Sequence, residues 1–284
     1  MSDACAPQQH SPHVSHSSPS GPPQPDGVPG PAGFPSFTLR AFLFKALDKR
    51  IGGTIIHPMA ARVPVPQEIE AKLLVPHAAT LSTIARLKEL GPYRLWLRQT
   101  QQLHTIYLDT AEFTLARQGV ALRVRRNRTQ WEATIKWGGR EDGIVHTRPE
   151  LTVRLASAPA FPFTLRPGPL ADHLSDLVAG QPLTPILISD TRRQRRSVRV
   201  GKPGRSPAFA EVALDHVRLR APGRSRSPAT TYGEVEVELE APDMAQHLLA
   251  FATLLRERFA LTPTEGSKFS RGLSLLYGPG LISA

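Results

Sequence analysis

From Val63 onward, short runs of alternating polar and β-branched residues recur between Gly, Pro and Asp turns, with a few windows of helical period among them. Eight runs predict strands: EIEAKL, HTIYLDT, ALRVRR, WEATIKW, HTRPELTVR, DTRRQRRSVRV, FAEVALDHV and YGEVEVELE. Windows 79–90, 169–180 and 243–260 predict helices. In the last, Leu248, Phe251, Ala252, Leu255 and Phe259 recur at a three/four spacing that defines one buried face. Asp243 at its start and Arg256 and Arg258 near its end suit the helix dipole. No helix carries a catalytic pattern.

The strands carry the chemistry. Side chains alternate faces along a strand, so residues at i and i+2 project together. The sets are Glu68, Glu70 and Lys72; Tyr107 and Asp109; Arg123 and Arg125; Thr134 and Lys136. Further on come Arg148, Glu150 and Arg154; Arg193, Arg195 and Arg199; Glu211 and Asp215; and Glu234, Glu236, Glu238 and Glu240. On a single strand such a face ordinarily meets water. Here the faces mix Glu with Arg and Lys, and the opposite faces (Ile69, Ala71, Leu73; Val235, Val237, Leu239) are apolar and need cover. One α+β arrangement satisfies both demands: a closed eight-stranded antiparallel β-barrel, charged inside and apolar outside against helices. A charged lumen must be balanced internally and kept wet or filled.

Converging cations suit a polyanion, and arginine grips phosphate oxygens in bidentate fashion. Clustered glutamates alone would repel such a ligand. A divalent cation, Mg²⁺ or Mn²⁺, reconciles the two, because it binds carboxylates and phosphate oxygens together. The implied chemistry is metal-assisted phosphoryl transfer. Two registers stay open in DTRRQRRSVRV: Arg193 and Arg195 inward, which leaves Val198 and Val200 outside, or Arg192 and Arg196 inward. Glu240 is placed at a strand exit, and Asp109 before a helix start reads as a turn or capping residue.

These residues carry a family resemblance. EIEAKL matches the Glu-x-Glu-x-Lys signature that opens the CYTH domain, also called the triphosphate tunnel metalloenzyme superfamily. YLDTAEFTLARQGVALRVRR is similar to the family's Tyr-x-Asp-Thr segment leading through Leu115, Gly119 and Leu122 to Arg-x-Arg. TIK, RPE, the arginine-rich strand, EVALD, EVEVE and SKFSRG follow in the family order, over residues 66–278. The resemblance implies a triphosphate-binding tunnel with one or two divalent metals, in a family of inorganic, thiamine and RNA triphosphatases and class IV adenylyl cyclases. By motif, Glu68, Glu70, Glu236 and Glu238 resemble metal ligands, and Glu68, Glu70 and Lys72 the catalytic group. Lys72, Arg123, Arg125, Lys136, Arg193, Arg195 and Lys268 resemble the triphosphate cradle, with Arg148 and Arg271 at further basic positions. Glu150, Glu211, Asp215 and Glu234 would support the acidic wall.

Composition narrows the setting. The 284 residues allow one large or two small domains, and the single cysteine, Cys5, excludes an internal disulfide. The start MSDACAPQQH lacks a signal pattern, and no apolar run approaches the ~18 residues of a membrane helix. A soluble, cytoplasmic protein is expected, without a membrane partner. Residues 1–39 hold nine of the 28 prolines and no Lys or Arg, so a disordered tail is expected, its His10, His13 and His16 serving as polar filler. The tail is also open to a partner-binding role. A short helix and linker are expected over 40–65, and homodimerisation is left open.

The net charge of +11, or +13 over residues 40–284, invites a nucleic-acid reading. Aromatics at 6%, with no stretch that interleaves them with basic residues, argue against a specific nucleic-acid partner. We therefore expect the positive charge to point into the lumen, at a small-molecule triphosphate, with Arg218, Arg220, Arg224 and Arg226 left on a solvated loop. Hydrolysis of a triphosphate is the leading expectation. An adenylyl cyclase and a non-catalytic polyphosphate or nucleotide binder are the alternatives.

Overall fold

The computed structural model describes residues 65–201, 207–223, 229–264 and 266–281. The expected tail, nearly all of the 40–65 segment, and Arg224 and Arg226 lie outside the described residues. The eight predicted strands all form: β1 (Gln67–Val75), β2 (Tyr93–Asp109), β3 (Ala121–Asn127), β4 (Gln130–Lys136), β5 (Val145–Leu155), β6 (Thr184–Val200), β7 (Ala210–Arg220) and β8 (Thr230–Leu239). Each pairs antiparallel with its neighbours in the order β1-β8-β7-β6-β2-β3-β4-β5, and β5 returns to β1, so the ring is closed. Closure pairs Glu68 with Arg148 and Glu70 with His146. Short additional pairs, Glu89–Leu90, Arg140–Asp142 and Thr262–Pro263, lie against β2, β5 and β1.

Helices cover the apolar outside. On one flank, Ala71, Leu73, Val235 and Val237 pack with Leu81 and Ile84 of α1 (Ala78–Ala85). Leu248, Phe251, Ala252 and Leu255 of α4 (Ala245–Phe259) complete that cluster, on the face the three/four spacing predicts. On the other flank, Leu108, Leu122, Val124 and Ile135 lie under Leu170, Leu174 and Val178 of α3 (Pro169–Val178). Burying this surface, at about 25 cal/mol per Å² of apolar area, drives the ring to close with its charges inward.

Two further helices form, one after the helix start expected at Asp109 and one that the sequence patterning does not predict. The four-residue α2 (Thr114–Arg117) starts under Asp109, whose fully buried carboxylate accepts hydrogen bonds from the amides of Thr110, Leu115 and Ala116 (2.7, 2.9 and 2.8 Å). Asp109 is thus structural, as its capping role anticipated. The helix α5 (Lys268–Tyr277) grows from SKFSRG through a reciprocal cap between Ser267 and Ser270. Its Phe269 and Leu273 pack with Tyr107, Leu187, Val217 and Leu219 and close one end of the ring interior. Gly272 permits that approach, since a Cβ there would lie 2.3 Å from Leu187 Cδ2.

Among the described residues, no helix is long and apolar enough to cross a membrane. The strand β7 continues through Arg218 and Arg220, so these two arginines lie on a strand and not on the expected loop. Strong alternation (His216, Arg218, Arg220 out; Val217, Leu219 in) carries pairing with β6 to Ile188.

The arginine-rich strand resolves its register physically. Arg193 and Arg195 face inward, while Arg196, 5% exposed, faces out beneath α1. Its guanidinium donates to the carbonyls of Ala85 and, at 2.5 Å, Leu87, satisfying acceptors at the C-terminal end of α1. The helix stops there instead of running to residue 90, because Glu89–Leu90 turns into a hairpin with β2. Arg196→Ala should lower stability by about 1–3 kcal/mol, since it strands buried carbonyls, and lower the thermal midpoint by several degrees. An unchanged melting curve would contradict this account of the α1 end.

Candidate active site

The ring interior encloses a cavity of about 220 Å³, walled by opposed charge. The acidic side is built by β1 and β8, with Glu68, Glu70, Glu236 and Glu238 on the lining. The basic side is built by Arg123 and Arg125 on β3 and Lys136 on β4, flanked by Arg148 on β5 and Arg193 on β6. In a ring of eight, β3 and β8 are diametrically opposed, so Arg125 and Glu238 stand on facing walls. Lys268, the first residue of α5, enters the same cavity from the closed end, beside Ser267 and Phe269.

Most of these charges are paired. Lys136 Nζ contacts Glu68 at 2.5 Å and Glu150 at 2.7 Å, and Arg148 bridges Glu68 and Glu70, each at 3.2 Å. Lys72 lies 2.6 Å from Glu70. Arg193 grips Asp215 through two bonds, 2.8 and 2.7 Å, and also contacts Glu236. Lys268 gathers Glu236 (2.5 Å), Asp215 (3.1 Å) and Glu234 (3.4 Å). Burial works against the charge of Glu150, but Lys136 and Arg123 hold its pKa at about 2. Glu236 likewise stays well below the usual carboxylate range against its burial, through Lys268 and Arg193.

Compensation is incomplete at several groups, including Glu234 behind the lining, which burial pushes up to about 7. Burial, together with the neighbouring Arg123 and Arg193 guanidiniums, pulls Arg125 down to about 10. The buried Nε of Arg123 has no hydrogen-bond partner. Across the cavity, partial burial and the repulsion of Glu68 and Glu70 push Glu238 up to about 7. Glu238 faces Glu70 directly in the strand register, a like-charge pairing that costs stability. One wall is short of anions and the other is short of cations.

This cavity sits in a recognisable fold. The CYTH domain profile matches residues 66–273. The chain belongs to the CYTH domain family. Among solved structures, it is similar to a putative adenylyl cyclase from Hippeastrum described as having a dominant triphosphatase activity. That pair shows 17% identity over 73% of this chain and 95% of the other, with a TM-score of 0.44. A putative adenylate cyclase from Bacillus halodurans is 19% identical over 74% of this chain and 97% of its own, with a TM-score of 0.45. The Mimivirus capping enzyme triphosphatase is 10% identical over 66% of this chain and 89% of its own, with a TM-score of 0.37.

Within this CYTH domain, Glu68, Glu70, Lys72, Arg123, Arg125, Lys136, Arg148, Glu150, Arg193, Glu236, Glu238 and Lys268 all reach the cavity lining. Arg195 stands just beyond it, bonded to Glu211 at 2.5 Å, while Asp215 and Glu234 lie behind, holding Arg193 and Lys268. Arg271 does not line the cavity; it donates to Thr264 Oγ1 at 2.6 Å and lies over the Tyr232 ring. The sequence reading missed Glu132, which lines the cavity and shares the parity of Thr134 and Lys136. It also missed Arg98, which a β-bulge between Leu97 and Gln99 turns toward Glu211 (2.7 Å) and Glu240 (2.6 Å).

The expectation that excess positive charge points inward is corrected. Nine inward cations (the seven on the lining, Arg195 and Arg98) meet nine inward carboxylates (six on the lining, with Glu211, Asp215 and Glu234), so the interior is balanced. The described residues hold 26 Lys and Arg against 20 Asp and Glu, so the excess of +6 lies outside this interior set. Charges removed from water must be matched, whereas exposed ones need not be.

Among the described residues, no three His, Cys, Asp or Glu side chains form a closed metal-holding cluster. The donor set nevertheless fits a hard divalent ion: hard carboxylate oxygens from Glu68, Glu70 and Glu238, with Glu238 destabilised by the other two. Glu236 fits less well, since Arg193 and Lys268 already occupy it.

The raised Glu238 pKa has a stability consequence. The folded state binds the proton more tightly than the unfolded chain, so its contribution is present at low pH and is lost as pH rises from about 4.5 toward 7. Glu238→Gln should therefore be more stable than wild type in metal-free buffer at pH 8 and nearly equal to it at pH 4.5. Thermal melts at the two pH values check this; a difference that does not grow with pH would refute it.

Proposed function

We propose that this CYTH protein hydrolyses the terminal phosphate of a triphosphate, inorganic or organic, with Mg²⁺ or Mn²⁺ held by Glu68, Glu70 and Glu238. One observation carries the reading: on opposed walls of a single cavity, Arg125 bonds to Thr105 and to no carboxylate while Glu238 faces Glu70 in register, and a metal-bound polyphosphate would relieve both. Arg123, Arg125, Lys136, Arg193 and Lys268 form the cradle for the phosphate oxygens. Arg123 offers its unpaired Nε, and the guanidiniums offer planar, bidentate donors. Asp215, Glu150 and Glu236 hold the cradle cations in position before a ligand arrives, so little reorganisation is needed on binding.

Water attacks the terminal phosphorus in line, a carboxylate of the acidic wall accepts its proton, and the leaving diphosphate stays against the basic wall. A divalent ion held by Glu68, Glu70 and Glu238 would supply charge neutralisation to the phosphate oxygens.

The test is phosphate release from inorganic triphosphate, ATP and thiamine triphosphate with Mg²⁺ or Mn²⁺, with cyclic AMP assayed alongside. Glu70→Ala and Arg125→Ala should each lower kcat/KM by about 100-fold or more, and chelation of the metal should abolish turnover. Turnover equal to wild type in Glu70→Ala would sink the metal assignment. Tight binding of triphosphates without any turnover would favour a sensor, and cyclic AMP as the product would favour a cyclase.

A further inference from the structure

The two longest strands do not stop at the rim of the ring. β2 and β6 each run 17 residues, and β3 pairs with β2 only from Leu103 to Leu108. The segment Tyr93–Gln102 therefore stands beyond the closed wall, paired on that stretch mainly with β6. Its Tyr93 and Leu95 are buried against α4 and the outer core, which leaves Arg94 and Trp96 on the side that continues the ring's inner face.

Strand register fixes where that side leads. Glu70 pairs with Glu238, Glu238 with Glu211, Glu211 with Ser197, and Ser197 with Trp96. Trp96 thus lies on the same lateral row as two of the carboxylates assigned to the metal. Three inter-strand steps of about 4.8 Å put it at most about 14 Å from Glu238, a span that a phosphate chain and a pentose can bridge. Between them stands the mouth, framed by Arg195, Glu211 and the bulged Arg98.

Trp96 is half-buried, and the Arg199 guanidinium lies over its ring at 4.1 Å. The guanidinium covers one face of the indole, and a nucleobase would add to this stack as a further planar layer, a sequence-tolerant mode of binding. The cavity itself offers charge and little apolar area for such a group, apart from Tyr107, Ala121 and Phe269 near its closed end.

The geometry points to Trp96 and Arg199 as a nucleobase subsite at the tunnel mouth, so that the substrate of this chain is a nucleoside triphosphate whose phosphates enter the ring and whose base stacks on Trp96. This rests on the triphosphate reading of the cavity and adds the group at the other end of the phosphate chain. Inorganic triphosphate fills only the inner part of such a site. Arg98 and Arg94, the latter 2.6 Å from Glu89, flank the platform with donors for the sugar or the base edge.

Calorimetric titration of the full chain with β,γ-imido-ATP and with inorganic diimidotriphosphate, both in Mg²⁺, tests the assignment. Wild type should bind the nucleotide analogue more tightly. In Trp96→Ala that preference should shrink about tenfold, and in Trp96→Phe by less, because a smaller ring still stacks. Nucleotide, but not diimidotriphosphate, should quench the tryptophan emission of wild type, which has three tryptophans, and Trp96→Phe should abolish the quench. If the preference stays within about twofold of wild type in Trp96→Ala while diimidotriphosphate still binds, the subsite is wrong and the tunnel reading stands. If neither ligand binds wild type, the tunnel reading fails and the subsite with it. Should Trp96→Ala not fold, the loss or persistence of the quench in Trp96→Phe decides.

Discussion

Charge taken out of water must be answered inside the ring, and the rest of this structure follows from that requirement. Lys136 meets Glu68 and Glu150, Arg193 meets Asp215 and Glu236, and Lys268 meets Glu234, Glu236 and Asp215. Each such pair joins different strands or a strand and a helix, so the ion pairs also pin the register of the ring. An isolated strand with this inward face could not be buried at all. Eight of them can, because each supplies the counter-charges its neighbours lack.

The same requirement singles out the places where compensation is incomplete. A fully matched lumen would be a salt-bridged core with no call for a ligand. Here Arg125, bonded to Thr105, lies beside Arg123 and Arg193, and Glu238 lies beside Glu68 and Glu70 on the facing wall, so these are groups that a bound polyanion and a cation would compensate. Stability and binding therefore pull against each other at Glu238, a familiar property of sites kept ready for a charged ligand. The apolar exterior, sealed by α1, α3 and α4, makes that tension bearable by supplying the favourable free energy of closure.

Much of this was legible in the chain. All eight strands, the helices α1, α3 and α4, the inward parity of eleven lining residues and the place of Lys268 follow from alternation and from the ordered CYTH motifs. The helix α5 was hidden because SKFSRG was read as a motif, although Ser267 and Ser270 at i and i+3 already formed a capping signal. Arg98 was invisible because a bulge, one extra residue in one strand, resets parity without changing the sequence pattern around it. Arg271 carried a family position to a place where Thr264 and Tyr232, not the cavity, receive it.

By itself the sequence determined the local facts: period two along each strand, the apolar stripe of each helix, and the kinds of charge that share a face. Those depend only on residues a few positions apart. The tertiary structure decided which charges meet, since Glu68 and Lys136, or Arg193 and Glu236, become neighbours only through the register of strands distant in the chain. It also decided that the interior is balanced and that the +6 of the described residues lies outside it, reversing the inward placement of the net charge. Alternation says that a side chain points in; only closure of the ring says what it finds there.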